Sequence, residues 1–450
     1  MRSSAFAFLG VAAMLAQTPH GVFEVGSDIT QWDPLFKDDY GPVIVSQLND
    51  ENLMTKWMES EVKDDSWSGR QKIVPIKIGR NRSVGSIPVG GRLPQASRSK
   101  FEDFAIPMRN TYGRVGFDRD VISQSRNKKG SWQQVIPAEM DSLLEAMSFH
   151  RNRVVWGYGS GILALVNGAI AASTTVTVDA PGNVTGSVGG ARFLDGLAAD
   201  DGMQVAFLDA ANNIQDTAVI TAVATNLASV TVDHAVTLDD NSKIVIAQTA
   251  TQSSLNREPE GLLAGIDDGT YVGTYHNLSR TTYPILNAYV ATAIGAMSLD
   301  AVQQMCDAVH IKTGKTFDMF ACEHAVRRSY LTLLETDRRY TGGDLMRPDG
   351  GTAAAKKPGG RTITYGDIPM FVDRDAPYRH LFGINKASWT RYVENEGQWA
   401  DDEGSVLKWI QDYDQWTAFY YCQDNFHCQR PNVNARGEGI DVNQLVVKVA

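Results

Sequence analysis

The sequence has 450 residues and a formal net charge of −10, with a pI near 5.3, which argues against a protein that coats nucleic acid over its whole surface. Hydrophobic residues make up 43% and charged residues 21%, as in ordinary globular proteins, and the length suggests two to four domains. Four cysteines in so long a chain do not form a disulfide framework, which favours a reducing compartment.

Residues 1–66 are predicted to form an N-terminal arm, because their hydrophobic residues show little periodicity. A short helix is expected near residues 50–61. Residues 5–16 are apolar and follow Arg2, so a cleaved signal peptide is an alternative interpretation, although no clear A-x-A cleavage site follows. No apolar run in the sequence approaches the roughly 20 residues that a membrane-spanning helix needs.

Residues 67–110 are predicted to form a long, extended β-hairpin. Polar and apolar residues alternate over 72–78, glycines mark a central turn region, and an extended pattern resumes over 104–117. Proline cannot donate to a sheet ladder, so the hairpin is expected at a sheet edge or free-standing. Its prolines are Pro75, Pro88, Pro94 and Pro107. Because an isolated hairpin is marginal in water, we expect it to lie on another surface, such as a second copy of the chain.

The charge of this region favours docking between subunits. Residues 70–129 contain fourteen Lys and Arg against four acidic residues, a local charge of +10, so the rest of the chain carries −20. A basic arm on an acidic body suits electrostatic attraction between copies. A solvated loop and a nucleic-acid-binding segment are the alternatives. The residues predicted to make the inter-subunit contact are Lys72, Lys77, Arg80, Arg82 and Arg92.

One long amphipathic helix is predicted within residues 111–161. Pro137 suits its first turn, where a missing N–H costs nothing, and Gly157 is a plausible stop. Apolar residues between them recur at helical spacing. They are Met140, Leu143, Leu144, Met147, Val154 and Val155.

The composition changes abruptly at residue 162. From there to residue 250 there is no Trp, Tyr or Cys, and only Arg192 and Lys243 are basic. Short apolar segments separated by Gly, Asn and Asp turns predict the strands of a small barrel or sandwich. These segments are residues 174–178, 203–207, 218–222, 230–232 and 244–246. A mixed pattern resumes afterwards, so we predict that residues 162–250 are an inserted all-β domain.

The rest of the chain divides into a mixed unit, residues 251–385, and a final stretch, residues 386–450. In the mixed unit, Ser298 is expected to cap a helix that runs to His310. A second helix is expected over 323–335, with strands at 316–321, 362–372 and 381–384 and a Gly/Pro/Lys loop at 342–360. The final stretch is rich in aromatic residues, and its strands are expected to pair with the base of the hairpin. It also carries the acidic docking candidates Glu394, Glu396, Asp401, Asp402 and Glu403.

No motif predicts catalysis or a cofactor. Thr313-Gly-Lys-Thr316 ends like a phosphate-binding loop, but Val309 stands where the first Gly is required and the order is helix–turn–strand. A helix-to-strand turn is therefore expected. Gly157-Tyr-Gly-Ser-Gly161 lacks the register of a nucleophile elbow and is expected to be a helix end and linker.

Two groups of potential metal ligands are expected to be structural. Cys422, His427 and Cys428 offer three zinc ligands, but the adjacent His427 and Cys428 point to opposite faces of a strand and no fourth partner lies nearby. A half-buried sheet edge is the expected alternative. Asp373 and Asp375 fit one strand face, and a turn cap or a solvated pair is expected there.

The order of these elements resembles that of the major capsid proteins of tailed double-stranded-DNA bacteriophages, the Hong Kong 97-type fold. Phrases that are similar to the family are Glu258-Pro-Glu-Gly-Leu-Leu263, Thr336-Asp-Arg-Arg-Tyr340 after a strand–helix run, and Thr364-Tyr-Gly-Asp-Ile-Pro369. The likeness covers about residues 50–440. It implies an α+β capsid fold with an N-terminal arm, an extended loop at 67–110, a peripheral domain with a spine helix from 111–161 and 386–450, and an axial domain at 251–385. The segment 162–250 departs from the minimal fold.

The resemblance implies assembly rather than catalysis. Expected partners are copies of the chain in hexamers and pentamers, a separately encoded scaffolding protein, a portal and a decoration protein. The shell would enclose DNA without sequence-specific binding, would assemble in the host cytoplasm and would become part of the virion. No cofactor, metal or membrane is implied. The alternative function is that of a secreted or surface-layer β-rich structural protein, which requires that residues 1–16 are cleaved on export.

Overall fold

The computed structural model describes residues 53–61, 63–66, 69–125, 135–184, 189–196, 202–249, 252–336, 363–401, 404–411 and 413–442. All of these belong to one compact unit. Several predicted features lie outside the described residues. They are most of the N-terminal arm with its apolar segment, the loop at 342–360, Asp402 and Glu403.

Helices and strands alternate along the described residues, which confirms the mixed α+β class. The helices are α1 Leu53–Glu61, α2 Arg119–Ser125, α3 Val135–Trp156, α4 Leu262–Gly265, α5 Leu299–Thr313 and α6 His324–Thr336. The strands of the first half are β1 Lys63–Ser66, β2 Gln71–Gly79, β3 Lys100–Pro107, β4 Arg109–Asp118, β5 Ile162–Val166, β6 Ile170–Asp179, β7 Gln204–Leu208, β8 Ile214–Val223, β9 Ser229–Leu238, β10 Lys243–Thr249 and β11 Gln252–Ser253. Those of the second half are β12 Thr274–Tyr275, β13 Leu278–Ser279, β14 Tyr289–Ala291, β15 Gly295–Ala296, β16 Met319–Cys322, β17 Ile363–Tyr365, β18 Ile368–Val372, β19 Leu381–Ile384, β20 Trp389–Trp399, β21 Lys408–Trp409, β22 Gln415–Cys428, β23 Ala435–Gly437 and β24 Ile440–Asp441.

The long helix α3 packs on a five-stranded sheet. The strand β22 pairs with β4 along one edge and with β20 and β21 along the other, and β1 lies beside β20. The predicted pairing of the C-terminal strands with the chain that leaves the hairpin is therefore confirmed. The helix begins two residues before Pro137 and ends just before Gly157, as its sequence predicts.

A buried ionic contact fixes this helix to the sheet. Arg151 of α3 donates to Asp424 Oδ2 at 2.6 Å, and Arg391 Nε donates to the same oxygen at 3.0 Å. Burial alone would lower the pKa of Arg151, but the nearby Asp424 carboxylate, together with Cys422, Glu59 and Tyr420, more than offsets it, so the pKa is raised. One carboxylate thereby joins α3, β20 and β22.

The hairpin β2–β3 forms a separate two-stranded sheet. Gln71 pairs with Pro107, and the register continues along both strands to Gly79 and Lys100. Neither strand joins a larger sheet within the described residues. The prolines therefore predict its free-standing position correctly.

Strands β5 to β11 form one seven-stranded sheet in the order β11-β10-β5-β6-β9-β8-β7, and β10 also pairs with β7. This extra pairing closes the sheet into a small barrel around its own apolar core. All five predicted strands are present, and β5 is an addition. The run Ile162-Leu-Ala-Leu-Val166 is apolar throughout and shows no alternation, so periodicity alone did not distinguish it. That residues 162–250 are an independent insertion stays a prediction.

A six-stranded mixed sheet carries α5 and α6. Its order is β14-β23-β19-β16-β18-β17. Ser298 caps α5 as predicted, since its Oγ accepts from Ala301 N at 3.1 Å. The helix continues three residues beyond His310, and Gly314, at φ 68°, ends it. The Gly-Lys-Thr stretch is therefore the expected helix-to-strand turn.

The strand predicted over 362–372 is instead two strands, β17 and β18, joined by a tight turn. Gly366 and Asp367 have φ values of 51° and 69°. Two consecutive positive φ values are those of a type I′ hairpin, for which Gly and Asp are favoured residues. The family-like phrase Thr364-Tyr-Gly-Asp-Ile-Pro369 thus contains its own hairpin signal.

The phrase Glu258-Pro-Glu-Gly-Leu-Leu263 passes beneath the end of α3. A Cβ on Gly261 would lie 2.5 Å from Val154 O and still closer to Val155 O. Leu262 and Leu263 follow it into the central apolar core. Glycine is needed here because the chain approaches the helix carbonyls too closely for a side chain.

We expect Gly261→Ala to destabilise the protein by about 1–3 kcal/mol, the usual cost of forcing extra atoms into a packed site. Urea unfolding measures the loss. Gly273→Ala is the matched control, because a Cβ there meets no atom within 4 Å. Equal midpoints for the two variants would contradict this account of the close approach.

Candidate assembly interface

The tip of the hairpin, residues 80–99, extends into solvent. Gly91 N donates to Pro88 O at 2.9 Å across a tight turn, in which Gly90 has φ 80°. Asn81 Nδ2 donates to Ser97 O at 2.9 Å and joins the two sides of the tip. Four apolar side chains of the tip are exposed, which the sequence analysis did not weigh. They are Val84, Ile87, Val89 and Leu93, of which Val84 is 89% exposed and Leu93 is 78% exposed.

The structure places the five predicted basic contacts at two levels of the hairpin. Arg80, Arg82 and Arg92 are exposed on the tip, and Lys77 is exposed near the end of β2. Lys72 lies at the base, where its Nζ is 5.6 Å from the centre of the Tyr392 ring of the same chain. Four of the five are therefore exposed to solvent, and Lys72 already has a partner within its own chain.

The base of the hairpin is fixed to its own subunit through one face. Phe104 and Ile106 are fully buried in the central core, whereas Phe101 on the opposite face is 63% exposed. The Asn277 side chain pairs with the backbone of β3 as a neighbouring strand would. Its Oδ1 accepts from Ala105 N at 2.9 Å and its Nδ2 donates to Asp103 O at 3.1 Å. The expectation that the hairpin needs a supporting surface is thus met at the base by its own chain.

Two histidines lie beneath Phe104. The His427 ring centre is 4.7 Å from that of Phe104 and 4.8 Å from that of His276. None of the four imidazole nitrogens has a hydrogen-bond partner among the described residues. Burial lowers the pKa of His427 to about 3. Burial also lowers the pKa of His276 well below 6.5, and the positive charges of His427, Arg109 and Arg280 lower it further.

The expectation of a half-buried edge at Cys422, His427 and Cys428 is wrong. All three side chains are buried. Arg151 lies against Cys422, Ser388 and Asn434 lie against Cys428, and Phe104 covers His427. Phe104 is more than 300 residues away in sequence, so the local pattern could not reveal this cover.

The acidic docking candidates lie along and beyond β20. Glu394, Glu396 and Asp401 are exposed. The neighbouring face of the sheet, opposite α3, is open and partly aromatic. Tyr112 of β4 stacks on Tyr421 of β22 with ring centres 6.3 Å apart. Negative charge and exposed aromatic surface therefore occur on the same sheet, and the aromatic part was not predicted.

Asp373 and Asp375 form a buried turn. Asp375 N donates to Asp373 Oδ1 at 2.7 Å, so the predicted turn cap is confirmed. The alternative of a solvated pair is wrong, because both side chains are buried and Asn152 Nδ2 donates to each, at 3.0 and 2.7 Å. Burial and the charge of Asp375 raise the pKa of Asp373 to about 6. Because Asn152 lies on α3, its hydrogen bonds to the two carboxylates attach the long helix to this turn.

Within the described ranges, no group of three or more His, Cys, Asp or Glu side chains is arranged to hold a metal ion. No helix in the same part of the chain is long and apolar enough to cross a membrane.

We expect Asn277→Gly to loosen the base of the hairpin. Glycine keeps the positive φ of 91° at this position and removes the two side-chain hydrogen bonds to β3, whose loss costs about 1–3 kcal/mol. Hydrogen exchange of residues 100–107 measures the effect. Thr274→Ala, an exposed site in the same turn region, is the control, and equal protection in both variants would contradict the anchoring role.

No protein-family model matches the sequence, and no curated protein matches it. Solved structures do. A chain of the cyanophage A-1(L) capsid asymmetric unit aligns with a TM-score of 0.54 and 10% identity over 92% of this chain and 99% of that one. The capsid of a native GTA particle gives a TM-score of 0.49 and 8% identity over 93% and 100%. An encapsulin complex from Synechococcus elongatus gives 0.44 and 7% over 94% and 99%.

The cyanophage comparison covers nearly the whole of both chains. At 10% identity it establishes the fold. The chain therefore has the fold of a phage capsid protein, as its resemblance to tailed-phage major capsid proteins predicts.

Proposed function

We propose that this chain is a structural subunit that assembles with copies of itself into a closed capsid. The observation that carries the proposal is the fold shared with the cyanophage capsid chain over 92% of the sequence. The hairpin supports it, because its tip exposes apolar and basic side chains that its own subunit leaves uncovered. A cluster of exposed apolar side chains of this kind is typical of an interaction surface.

The resemblance to tailed-phage major capsid proteins also assigns a capsid domain to each part of the chain. Residues 67–110 would be the extended loop, 111–161 with 386–450 the peripheral domain, and 251–385 the axial domain around the symmetry axis of hexamers and pentamers. The barrel within 162–250 would be an insertion. The shell would enclose DNA, would assemble in the host cytoplasm with a separate scaffolding protein, a portal and a decoration protein, and would become part of the virion.

We further propose that the hairpin tip docks on the open face of the five-stranded sheet of a second copy. Arg80, Arg82 and Arg92 would meet Glu394, Glu396 and Asp401, and the apolar tip would pack near Tyr112 and Tyr421. Each exposed ion pair contributes only about 0.2–1 kcal/mol. Apolar burial and charge would therefore act together, repeated around each ring.

Electron microscopy of the purified chain, alone and with a coexpressed scaffolding protein, tests the proposed function. We expect rings, tubes or closed shells, because the fold presents the same docking surfaces on every copy. A chain that stays monomeric in both preparations at high concentration would refute capsid formation.

Reversing Arg80, Arg82 and Arg92 to Glu should slow or block assembly and leave the melting temperature of the subunit nearly unchanged. The reason is that these side chains are exposed and remote from the core. Light scattering across a salt series measures assembly, and the wild-type rate should fall with salt because the Debye length is about 8 Å at physiological ionic strength.

The charge-matched control reverses Lys56, Arg257 and Lys315, which are exposed outside the hairpin. If the hairpin variant assembles at the wild-type rate in low salt, the tip does not act through its charge. If both variants fail equally, net charge rather than the hairpin is responsible.

A further inference from the structure

The base of the hairpin closes over a buried pair of imidazoles. Phe104 of β3 meets the His427 ring edge-on, at 71° and 4.7 Å, and meets the His276 ring at 79° and 6.2 Å. His427 is on β22 and His276 is in the turn between β12 and β13. The two rings come from distant parts of the chain, and the hairpin is the element that covers both.

Few groups near these rings can offset the positive charge of a protonated imidazole. Among the described residues, the carboxylate in contact with these rings is that of Glu260, whose Oε2 lies 3.1 Å from His276 Nδ1 but without the alignment of a hydrogen bond. The nearby cations are Arg109 of β4, Arg280 just after β13 and Lys72 of β2. Lys72 lies over the Tyr392 ring, and that ring packs on His427. A proton on either imidazole would therefore join a site that already has more positive than negative charge.

The remaining titratable neighbours stay neutral. Burial raises the pKa of Cys428 to about 12 and raises the pKa of Tyr275 well above 10. Neither group can offset an imidazolium charge. Burying a charge without a paired, hydrogen-bonded partner is costly, so opening the site to water is the available response to protonation.

We propose that this cluster is a proton-operated latch, in which neutral His276 and His427 hold the hairpin base on its own subunit and protonation releases it. The latch would free the hairpin to change its angle to the body. This inference concerns one subunit and does not depend on whether the chain forms a shell.

The direction of the pH dependence follows from linkage. The two imidazoles have closed-state pKa values below 6.5, so their contribution to closure is complete above pH 6.5 and is lost as the pH falls. Glu260 acts in the opposite sense. Burial raises its pKa from 4.5 to about 7, so its contribution is present below pH 4.5 and is lost as the pH rises towards 7.

Below pH 6.5, while both closed-state imidazoles stay neutral, the open base binds two protons on the imidazoles and the closed base binds one on Glu260. Opening thus takes up one net proton. The ratio of open to closed hairpin base should therefore rise about tenfold for each unit of pH decrease from 6.5 towards 4.5.

Hydrogen exchange of the full-length protein at pH 6 and pH 5, corrected for intrinsic exchange rates, tests the latch. Protection of residues 100–107 in β3 should fall about tenfold between the two pH values. Protection of β16, in the centre of the mixed sheet, should stay constant. Parallel loss in β16 would mean global unfolding and would overturn the proposal.

Two variants separate the contributions. His427→Phe should make β3 protection nearly independent of pH, because His276 and Glu260 then cancel. Glu260→Gln should steepen the change to about a hundredfold per pH unit, because two protons are then taken up. His310→Gln, at an exposed histidine of α5, should keep the wild-type slope. A wild-type slope in both the His427 and the Glu260 variants would overturn the latch.

Discussion

The two-stranded hairpin buries one of its faces against its own chain and leaves the other in solvent, and this constraint organises the molecule. Here the inner face is buried through Phe104 and Ile106, and Asn277 supplies the backbone pairing that a third strand would otherwise give. The outer face and the tip keep their apolar side chains in solvent. Since an isolated hairpin is marginal in water, the proposed docking gives the tip a second molecule to lie on, as the base lies on its own chain.

The body that supports the hairpin is held by buried polar contacts between distant segments. Asp424 joins α3 to two strands through Arg151 and Arg391, and Asn152 joins the same helix to the Asp373 turn. Removing one partner from such a contact leaves an uncompensated buried group and is strongly destabilising. These contacts therefore specify how α3 meets the sheet and the Asp373 turn, and the two unpartnered histidines are an exception placed where the hairpin closes.

Local periodicity was enough to predict α3, the hairpin and five strands of the barrel, because each signal lies within one element. It failed where burial comes from distant parts of the chain. His427 is covered by the hairpin, Asp373 is buried against α3, and Lys72 meets an aromatic ring far along the sequence. The exposed apolar side chains of the tip, in contrast, could have been predicted from the local sequence. Val84, Ile87, Val89 and Leu93 stand among turn residues in the sequence, and weighing them would have indicated an apolar as well as a basic contact.

Cross-linking between copies tests most directly whether the hairpin tip docks on another subunit. A photoreactive residue would replace Val89, and equal amounts of 14N- and 15N-labelled chain would be assembled, irradiated and digested. The account predicts mixed-isotope cross-links from the tip to peptides of β4, β20 or β22. Cross-links that join only peptides of one isotope, or mixed cross-links that fall consistently elsewhere, would contradict it.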